Sequence, residues 1–340
     1  MVTNKFAEED FQALQELVEQ KYVLASRHNS KPLTIYNYSK TTQFEGFWTP
    51  LTRKTRGLIL DDEKNIVVEP PEKFFNLGEP LAPDIELSRA RILEKLDGFM
   101  IICKLDSDYG LIVASRGSFN SKYAEAAKTF IDDNILLKMV PNYTYFCELL
   151  QNFPGDAGKI LAEYPIPKLV CWAIKDENFN EVGLDDECPF PTVQELSLAE
   201  AKEYLKQKVE GVVAQDTKTF ERVKIKTEWY ITNHRLASKC TPKRVWETLV
   251  KGQRVEDLDI PDEFMPQMKK WQDDFLNQYQ SKYNQINRLY IQTSALSDKE
   301  LAFSPDVPAD LKSLVFSKRD NKSQALQKAI WDRIRKNDIM

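Results

Sequence analysis

The spacing of apolar residues predicts two regions of different structure along the chain. Residues 6–20 place apolar side chains such as Phe11, Leu14 and Val18 at helical intervals, which indicates an amphipathic helix. After this helix, short apolar runs bounded by polar turns predict strands. The strands are expected at 33–38, 58–60, 66–69, 99–105, 111–114, 143–150, 169–174, 209–214 and 222–226, with further helices at 123–139 and 198–206. Short turns between successive strands favour antiparallel pairing.

The pattern changes after Trp229. Strand signals end, and charged stretches with helical apolar spacing continue at 242–250, 264–291, 308–316 and 322–336. The sequence therefore predicts an α+β fold in two domains. A mixed domain with antiparallel sheet is expected at residues 1–234, followed by an all-α C-terminal domain at residues 235–340.

Composition limits the number of domains, the redox compartment and the kind of partner that can be expected. Its 340 residues and 42% hydrophobic content suffice for two domains with buried cores. Five cysteines without a C-x-x-C pair favour a reducing compartment, so a cytoplasmic protein is expected. No apolar run approaches the ~18 residues that a membrane helix needs. The net charge of −5 does not favour nucleic acid, but residues 228–340 carry 19 basic and 16 acidic residues and could meet phosphates.

The segment Glu94–Gly98 carries the first candidate chemistry. It lies between two apolar runs that predict buried strands, 91–93 and 99–103. A lysine held between such strands can become a nucleophile, and Gly98 allows a sharp turn or the close approach of a ligand. The plain alternative for Lys95 is a solvated residue in a turn, and this segment alone does not decide between the two.

Further candidates follow at the ends or on one face of later strands. They are Arg116, Phe146, Glu148, Trp172, Glu210, Lys224 and Lys226. The period of two in a strand places Phe146 with Glu148, and Lys224 with Lys226, on common faces. Lysines neutralise phosphates, carboxylates hold Mg²⁺, and an aromatic ring stacks on a base, so this set suits nucleotidyl transfer. Each residue also has an ordinary interpretation: salt-bridge partners for the glutamates, a solvated face for the lysines, and core for the aromatics.

The ordered set resembles the covalent nucleotidyltransferases, which comprise ATP-dependent DNA and RNA ligases and capping enzymes. It consists of Lys95-x-Asp97-Gly98, Ser115-Arg116-Gly117, Phe146-x-Glu148, Glu210-Gly211 and Lys224-x-Lys226. Upstream and flanking residues resemble the RNA ligase 1 group of T-even bacteriophages more narrowly. These are Tyr36-Asn37-Tyr38, Arg56-Gly57, the segment 72–77 and Trp229-Tyr230. The resemblance spans residues 33–235 and implies an antiparallel-sheet nucleotidyltransferase domain of the ATP-grasp-like ligase type.

What the resemblance implies is RNA sealing in three steps. Lys95 would take AMP from ATP, pass it to an RNA 5′-phosphate, and a 3′-hydroxyl would then displace it. The matching positions imply that ATP is bound by Tyr36, Arg56, Lys73, Glu94, Asp97, Gly98, Arg116, Phe146, Glu148, Trp172, Glu210, Lys224 and Lys226. Glu148, Glu210 and Glu256 would hold Mg²⁺ or Mn²⁺, although the family has an aspartate where Glu256 stands. Tyr230 would serve the sealing step.

The expected partner is single-stranded or nicked RNA, with a cleaved tRNA anticodon loop as the substrate that the resemblance suggests. We expect a monomer that acts in RNA repair, without a membrane partner, in the host cytoplasm if a phage encodes it. One alternative is a DNA ligase or capping enzyme. These enzymes usually append a barrel of short strands, whereas the pattern of residues 235–340 shows no run of short strands. The other is an RNA-binding protein on an inactive transferase scaffold, which would require loss of Lys95 or its partners.

Overall fold

The computed structural model describes residues 5–153, 160–162, 164–184, 187–237, 240–258 and 265–338. The chain divides into two compact units, Met1–Thr232 and Asn233–Met340, here called the first and the second unit. Among the described residues, no helix combines the length and the apolar character needed to cross a membrane.

The elements that begin in the first unit are, in chain order, α1 (Glu8–Glu19), β1 (Val23–Arg27), β2 (Leu33–Tyr38), α2 (Lys40–Glu45), α3 (Pro50–Lys54), β3 (Arg56–Asp61), β4 (Ile66–Val68), β5 (Phe75–Asn76), β6 (Arg91–Lys95), β7 (Phe99–Asp106), β8 (Gly110–Ser115), α4 (Lys122–Lys128), α5 (Asp133–Lys138), β9 (Thr144–Leu150), β10 (Lys168–Lys175), β11 (Glu181–Val182), β12 (Glu195–Leu196), α6 (Leu198–Tyr204), β13 (Gly211–Gln215), β14 (Arg222–Lys226) and α7 (Glu228–Ala237). The second unit adds α8 (Pro242–Val250), a 3-10 helix (Val255–Asp257), α9 (Met265–Gln292), α10 (Asp298–Phe303), α11 (Ala309–Arg319) and α12 (Ser323–Asp338).

Three sheets form the framework of the first unit. The first has the strand order β1-β2-β3-β4, the second β11-β10-β9-β7-β8, and the third β12-β6-β13-β14-β5. Pairing within the three sheets is antiparallel except between β5 and β14. The predicted α+β class with antiparallel sheets is therefore confirmed.

Apolar side chains hold the sheets together in layers. Ile35 and Ile59 of the first sheet pack against Ile102 and Phe146 of the second. The opposite face of the second sheet is covered by α4 and α5, and α1 covers the first sheet. A smaller cluster joins Leu93 of the third sheet to the second sheet. Because the second and third sheets meet there, the ends of β6, β9 and β10 come close to one another.

The second unit is helical throughout its described part and has its own core. Buried residues of α8, α9, α11 and α12, such as Trp246, Met268, Leu314 and Trp331, form one cluster. The Trp246 indole donates to the Trp331 carbonyl oxygen at 3.0 Å. The predicted all-helical character of the C-terminal region is thus confirmed for 240–258 and 265–338.

One predicted helix is wrong in extent. Residues 123–139 were expected to form a single helix, but the structure has two, because α4 ends at Lys128 and α5 begins at Asp133. The Asp132 side chain accepts a hydrogen bond from the Ile135 amide at 2.9 Å, which caps the new helix. The apolar spacing continues across the break as it would in one helix. In the structure the Asp132 cap ends that continuity and begins a second helix.

Candidate active site

Three neighbouring strands of the third sheet bring Lys95 and Lys226 to either side of Gly211. Gly211 on β13 pairs with Lys95 on β6 and with Lys226 on β14. A Cβ atom on Gly211, whose φ is +147°, would clash with the carbonyl oxygen of Ile225, so glycine is required here. Since Glu210 directly precedes Gly211, the register of the sheet places one carboxylate between two lysines.

Glu210 is the centre of this cluster. Its Oε2 accepts from Lys95 Nζ at 2.8 Å, and its Oε1 lies 2.8 Å from Lys226 Nζ. Burial by itself raises the pKa of Glu210, but the two lysines outweigh burial and hold that pKa below its ordinary value. Glu210 is therefore a charged carboxylate that fixes the position of the Lys95 amine.

Gly98 is required by close approach to β9. A Cβ atom at this position would stand 2.6 Å from the Leu149 carbonyl oxygen and 2.8 Å from Glu148 Cγ. The sequence predicted space for a ligand at Gly98, whereas the structure fills that space with the protein itself. The glycine thereby brings the loop after Lys95 against the strand that carries Glu148.

Asp97 anchors the same loop from inside the protein. The Tyr230 hydroxyl donates to its Oδ1 at 2.9 Å, and the amides of Leu161 and Ala162 donate to its Oδ2 at 2.5 and 3.1 Å. Burial and then Glu210 raise the pKa of Asp97. Because both oxygens bond within the protein, Asp97 positions the loop and Tyr230. It does not itself face a pocket.

A pocket beside Lys95, here called the central pocket, has apolar walls and a charged rim. Its apolar lining includes Leu93, Leu96, Val193 and Val213. The other lining residues are Arg56, Phe74, Glu94, Lys95, Glu148, Trp172 and Arg222. A flat ring bound between apolar walls with a few directed polar groups is a typical small-ligand arrangement.

Two guanidinium groups lie close to the ring of Trp172 in this pocket. Arg56 and Arg222 stand 5.7 and 5.5 Å from its ring centre. Within the described part of the chain, Trp172 Nε1 and Arg56 Nη1 are buried and have no hydrogen-bond partner. Buried donors without acceptors are rare in folded proteins, so these two atoms indicate a site that a ligand completes.

Glu148 faces the central pocket from β9. Burial raises the pKa of its carboxyl to about 7, although Lys95 and Arg56 act in the opposite direction. A carboxylate with this pKa binds a cation readily near neutral pH, because the cation removes the cost of the buried charge. Glu148 therefore fits a divalent ion, whereas Glu210 is already engaged by two lysines.

A second cavity adjoins the first at Arg56 and Phe74 and is here called the cationic pocket. It is lined by Tyr38, Gln43, Arg56, Lys73, Phe74, Arg116 and Lys224. Four of these residues are basic and none is acidic. Burial, followed by repulsion from neighbouring cations, lowers the pKa of Lys224 to about 6 and that of Lys73 to about 8. An uncompensated cluster of this kind favours a polyanion.

Arg116 is held in the cationic pocket by Tyr38. Its Nη1 donates to the Tyr38 hydroxyl at 3.1 Å, and its guanidinium lies 4.9 Å from the centre of that ring. Burial lowers the pKa of Arg116. Tyr38 thus orients a cation whose position the sequence predicted.

The structure places three predicted residues elsewhere. Tyr36 is buried beneath α1 among Leu14, Leu58 and other apolar residues, so the expectation that it contacts the nucleotide does not fit its position. Phe146 lies in the core below Trp172, 6.0 Å from that ring, and supports the pocket without lining it. Glu256 belongs to the second unit, where it contacts Lys269 and Gln272.

Two residues that the sequence analysis did not assign line the pockets. Phe74 borders both, and Arg222 lines the central pocket. Arg222 lies two positions before Lys224 on β14, so strand alternation from the predicted lysine pair was a signal that could have found it. Phe74 lies in the segment 72–77 that carries the resemblance, but no role was assigned to it, because its position depends on the loop before β5.

No group of three or more His, Cys, Asp or Glu side chains is arranged to hold a metal ion, within the residues that the structure describes. The described residues thus provide at most a partial ligand set at this site. A divalent ion bound at Glu148 would need further oxygen ligands from a phosphate-bearing substrate, which is common for Mg²⁺.

Comparison with known proteins agrees with this geometry. The archaeal ATP-dependent RNA ligase, form 1, superposes with a TM-score of 0.50 at 13% sequence identity, over 77% of this chain and 75% of that one. Its form 2 gives a TM-score of 0.49 at 13% identity, over 77% and 75% of the two chains. The likeness to form 1 shows that this chain shares the fold of that nucleotidyltransferase-type protein.

Sequence comparison finds similarity to RNA ligases over part of the chain. Residues 54–176 match the RNA ligase family, and they include Arg56, Lys95, Glu148 and Trp172. The chain is 39% identical to RNA ligase 1 of bacteriophage TS2126 over 85 residues. This stretch is 22% of this chain and 21% of that relative, so the chain matches only about a fifth of the relative's length. The predicted resemblance to the RNA ligase family is therefore confirmed over the matched segment.

Proposed function

We propose that this chain is an ATP-dependent RNA ligase that joins 5′-phosphate and 3′-hydroxyl ends through a lysyl-AMP and an RNA-adenylate. The observation that carries the proposal is the position of Lys95. Its amine is held by Glu210 and lines the central pocket, which adjoins a cavity with four basic residues and no carboxylate. The RNA ligase family match over residues 54–176 supports the same activity.

In the first step, Lys95 Nζ attacks the α-phosphorus of ATP. A P–N bond forms, the bond to the β-phosphate oxygen breaks, and pyrophosphate leaves. Arg56, Lys73, Arg116 and Lys224 would neutralise the triphosphate and stabilise the leaving group. Glu210 holds the attacking amine at 2.8 Å, so the nucleophile needs little reorientation.

In the second step an RNA phosphate oxygen displaces the lysine, and in the third step an RNA hydroxyl displaces AMP. An oxygen of the RNA 5′-phosphate attacks the AMP phosphorus, and the P–N bond to Lys95 breaks. The 3′-hydroxyl of the other end then attacks the 5′-phosphate, and AMP leaves. Tyr230 would act as a positioning residue, because its hydroxyl bonds Asp97 and its ring lies 4.7 Å from Lys226 Nζ.

A divalent cation, Mg²⁺ or Mn²⁺, is part of the proposal. It would neutralise charge that develops on the transferred phosphate. Glu148 is the first candidate ligand because its buried carboxylate lacks a compensating bond in the described structure. Glu210 could join only by giving up one of its lysines, and Glu256 lies in the second unit.

Single-stranded or nicked RNA is the proposed substrate, and a cleaved tRNA anticodon loop is the proposed natural form. We further propose a monomer that acts in RNA repair in the cytoplasm of a phage-infected host. The five cysteines, which include no C-x-x-C pair, are consistent with a reducing compartment.

Incubation with α-labelled ATP and Mg²⁺ tests the proposal. The label should become attached to the protein and should be released to RNA when a 5′-phosphorylated strand is added. Excess EDTA should prevent both events. Absence of label on the unaltered chain, with Mg²⁺ or Mn²⁺ present, would contradict the proposed activity.

The same assay separates the alternatives. A DNA ligase would seal DNA ends in preference to RNA ends. An inactive RNA-binding scaffold would bind RNA without taking label. The first is disfavoured because the described part of the second unit has helices and no strand, and the second because Lys95, Glu148, Glu210, Lys224 and Lys226 are all present.

A further inference from the structure

A third cavity of the first unit adjoins the two pockets. This outer groove has a volume of about 750 Å³. Phe74 and Arg222 line both the groove and the central pocket, and Lys73 lines both the groove and the cationic pocket. The groove therefore adjoins both pockets, and a chain lying in it would reach Lys73.

Two phenylalanines line the groove in an unusual backbone conformation. Phe179 has φ +64° and Phe220 has φ +57°, and each lies in the turn of a different hairpin. Glycine or asparagine normally occupies such positions, because a large side chain there is strained. Both rings are only half-buried. A bulky ring kept at a strained, accessible turn position indicates use of the ring at a binding surface.

The turns that carry these rings share one design. In the first, the amides of Asn178 and Asn180 donate to Asp176 Oδ1 at 2.9 and 2.8 Å. In the second, the amides of Lys218 and Thr219 donate to Asp216 Oδ1 at 2.8 Å each. Each aspartate thus closes its own turn and fixes the conformation in which the ring is presented.

An ion pair joins the two hairpins across the sheets. Arg222 of the third sheet makes a two-pronged contact with Glu181 of the second, and Gln215 Nε2 donates to the same carboxylate at 2.9 Å. The side chains of Arg222 and Glu181 are 5% and 9% exposed, so the pair is shielded from water. Phe179 and Phe220 are consequently held on one rigid wall.

The charges of the groove favour an anion. Arg53 and Lys175 are paired with Glu72 and Glu69. Within the described residues, Lys73 and Lys218 form no ion pair, while the acidic Glu221 of the groove accepts from Thr219. Two lysines without an ion pair in the described structure, beside two accessible rings, match the composition of surfaces that bind single strands by stacking and phosphate contact.

We propose that the outer groove binds the single-stranded part of the RNA next to its reacting end. Bases would stack on Phe179 and Phe220, and phosphates would lie along Lys218 toward Lys73. This inference rests on the proposed ligase function. A duplex would fit poorly, because its bases are stacked on one another and are not available to the rings.

Direct binding of a labelled, unstructured oligoadenylate tests the proposal with the full chain, without ATP or metal. Phe220→Leu and Phe179→Leu keep an apolar side chain at the same φ but remove the stacking surface, and each should weaken binding about five- to tenfold. Lys218→Gln should reduce the slope of log affinity against log salt by about 0.7. Phe130→Leu and Lys138→Gln, which lie outside the groove, are matched controls that should change neither quantity.

Photo-crosslinking provides a measurement that does not depend on folding of the variants. With the unaltered chain and bromouridine-substituted RNA, crosslinks should fall within residues 176–181 or 216–222. Crosslinks found only elsewhere, or unchanged binding by the exposed Lys218→Gln variant and both Leu variants, would overturn the proposal. A failure of the ligase assignment is seen separately, as absence of label transfer from ATP to the unaltered chain.

Discussion

Lys95 is the residue on which the proposed chemistry depends. Lys95→Ala should abolish transfer of label from ATP to the protein, because Lys95 is the lysine that lines the central pocket and is held there by Glu210. Lys95→Arg should not restore labelling, since a guanidinium stays protonated and cannot attack. Gel analysis after incubation with α-labelled ATP measures the adduct.

The control for this prediction is Lys138→Ala, an exposed lysine on α5 that should label normally. Circular dichroism confirms that both variants fold. Full labelling of Lys95→Ala would show that another residue carries the nucleotide.

The cationic pocket should take up protons when a nucleotide binds. At pH 8, Lys224, with a pKa of about 6, is neutral, and Lys73, with a pKa of about 8, is half-protonated. A polyphosphate raises both values by attraction, so its binding favours the protonated lysines. We expect an uptake of about one proton per ATP at pH 8, which disappears as the pH falls below 6.

Calorimetric titration in two buffers of different ionisation enthalpy measures this uptake. Lys224→Met should remove most of it, whereas Lys138→Met should leave it unchanged. Equal binding enthalpies in the two buffers at pH 8 would contradict the expectation.

At the residue scale, the sequence predicted most of the site because strand alternation is strict. Lys224 and Lys226 were expected on a common face of one strand, and both take part in the assembled cluster. Tyr36 shows the limit of this reasoning. Alternation places Tyr36 and Tyr38 on the same face of β2, but α1 covers Tyr36, while Tyr38 contacts Arg116. Which of two equivalent residues is covered depends on packing, which local pattern does not encode.

At the scale of elements, the end of α1 offers a test of stability. The helix ends in a Schellman motif: the Lys21 amide donates to the Val18 carbonyl at 3.0 Å and the Tyr22 amide to that of Leu17 at 2.9 Å. Lys21 takes φ +64°, a conformation that favours glycine. Lys21→Gly should stabilise the first unit by about 0.5–1 kcal/mol.

Urea unfolding, followed by a signal from the first unit, measures the change. The midpoint should rise with little change in slope, because the buried surface is the same. Lys21→Ala is the control, since it removes the same side chain but keeps the strained φ, and it should shift the midpoint little. Equal midpoint shifts for Lys21→Gly and Lys21→Ala would show that loss of the lysine side chain causes the change in stability, and not relief of the strained φ.

Long elements were easier to predict than short ones. The pattern at 264–291 matches α9 closely, since 28 residues repeat the helical spacing many times. The two-residue strands β5, β11 and β12 contain too few positions for any period to be visible. The parallel pairing of β5 with β14 is likewise a tertiary property, although it brings Lys73 and Phe74 close to Lys224.

At the scale of the whole molecule, the helical C-terminal region and the rest of the chain, which carries the candidate site, differ in net charge. Residues 228–340 carry a net charge of +3 and the remainder −8. All residues of the two pockets lie in the first unit. We therefore expect the helices to influence which RNA is chosen and not whether ATP is used.

A chain ending at residue 237 tests this division. The cut must follow α7, because Tyr230 on this helix bonds Asp97 at 2.9 Å and anchors the loop after Lys95. The first unit has its own apolar clusters, so the shortened chain should fold and should still form the Lys95 adduct. Since it lacks most of the basic region, its affinity for RNA should depend less on salt, because fewer phosphate contacts release fewer counterions.

Substrate choice is the decisive comparison. Ligation of a nicked tRNA and of an unstructured oligonucleotide with the same ends is measured for the full and the shortened chain. The full chain should favour the nicked tRNA, and truncation should reduce that preference while sealing of the oligonucleotide continues through the outer groove. Phe220→Leu in the full chain is the matched control, and it should weaken use of both RNAs because the groove contacts the single strand next to either end. An unchanged preference after truncation would show that the helices do not select the RNA and serve the fold alone.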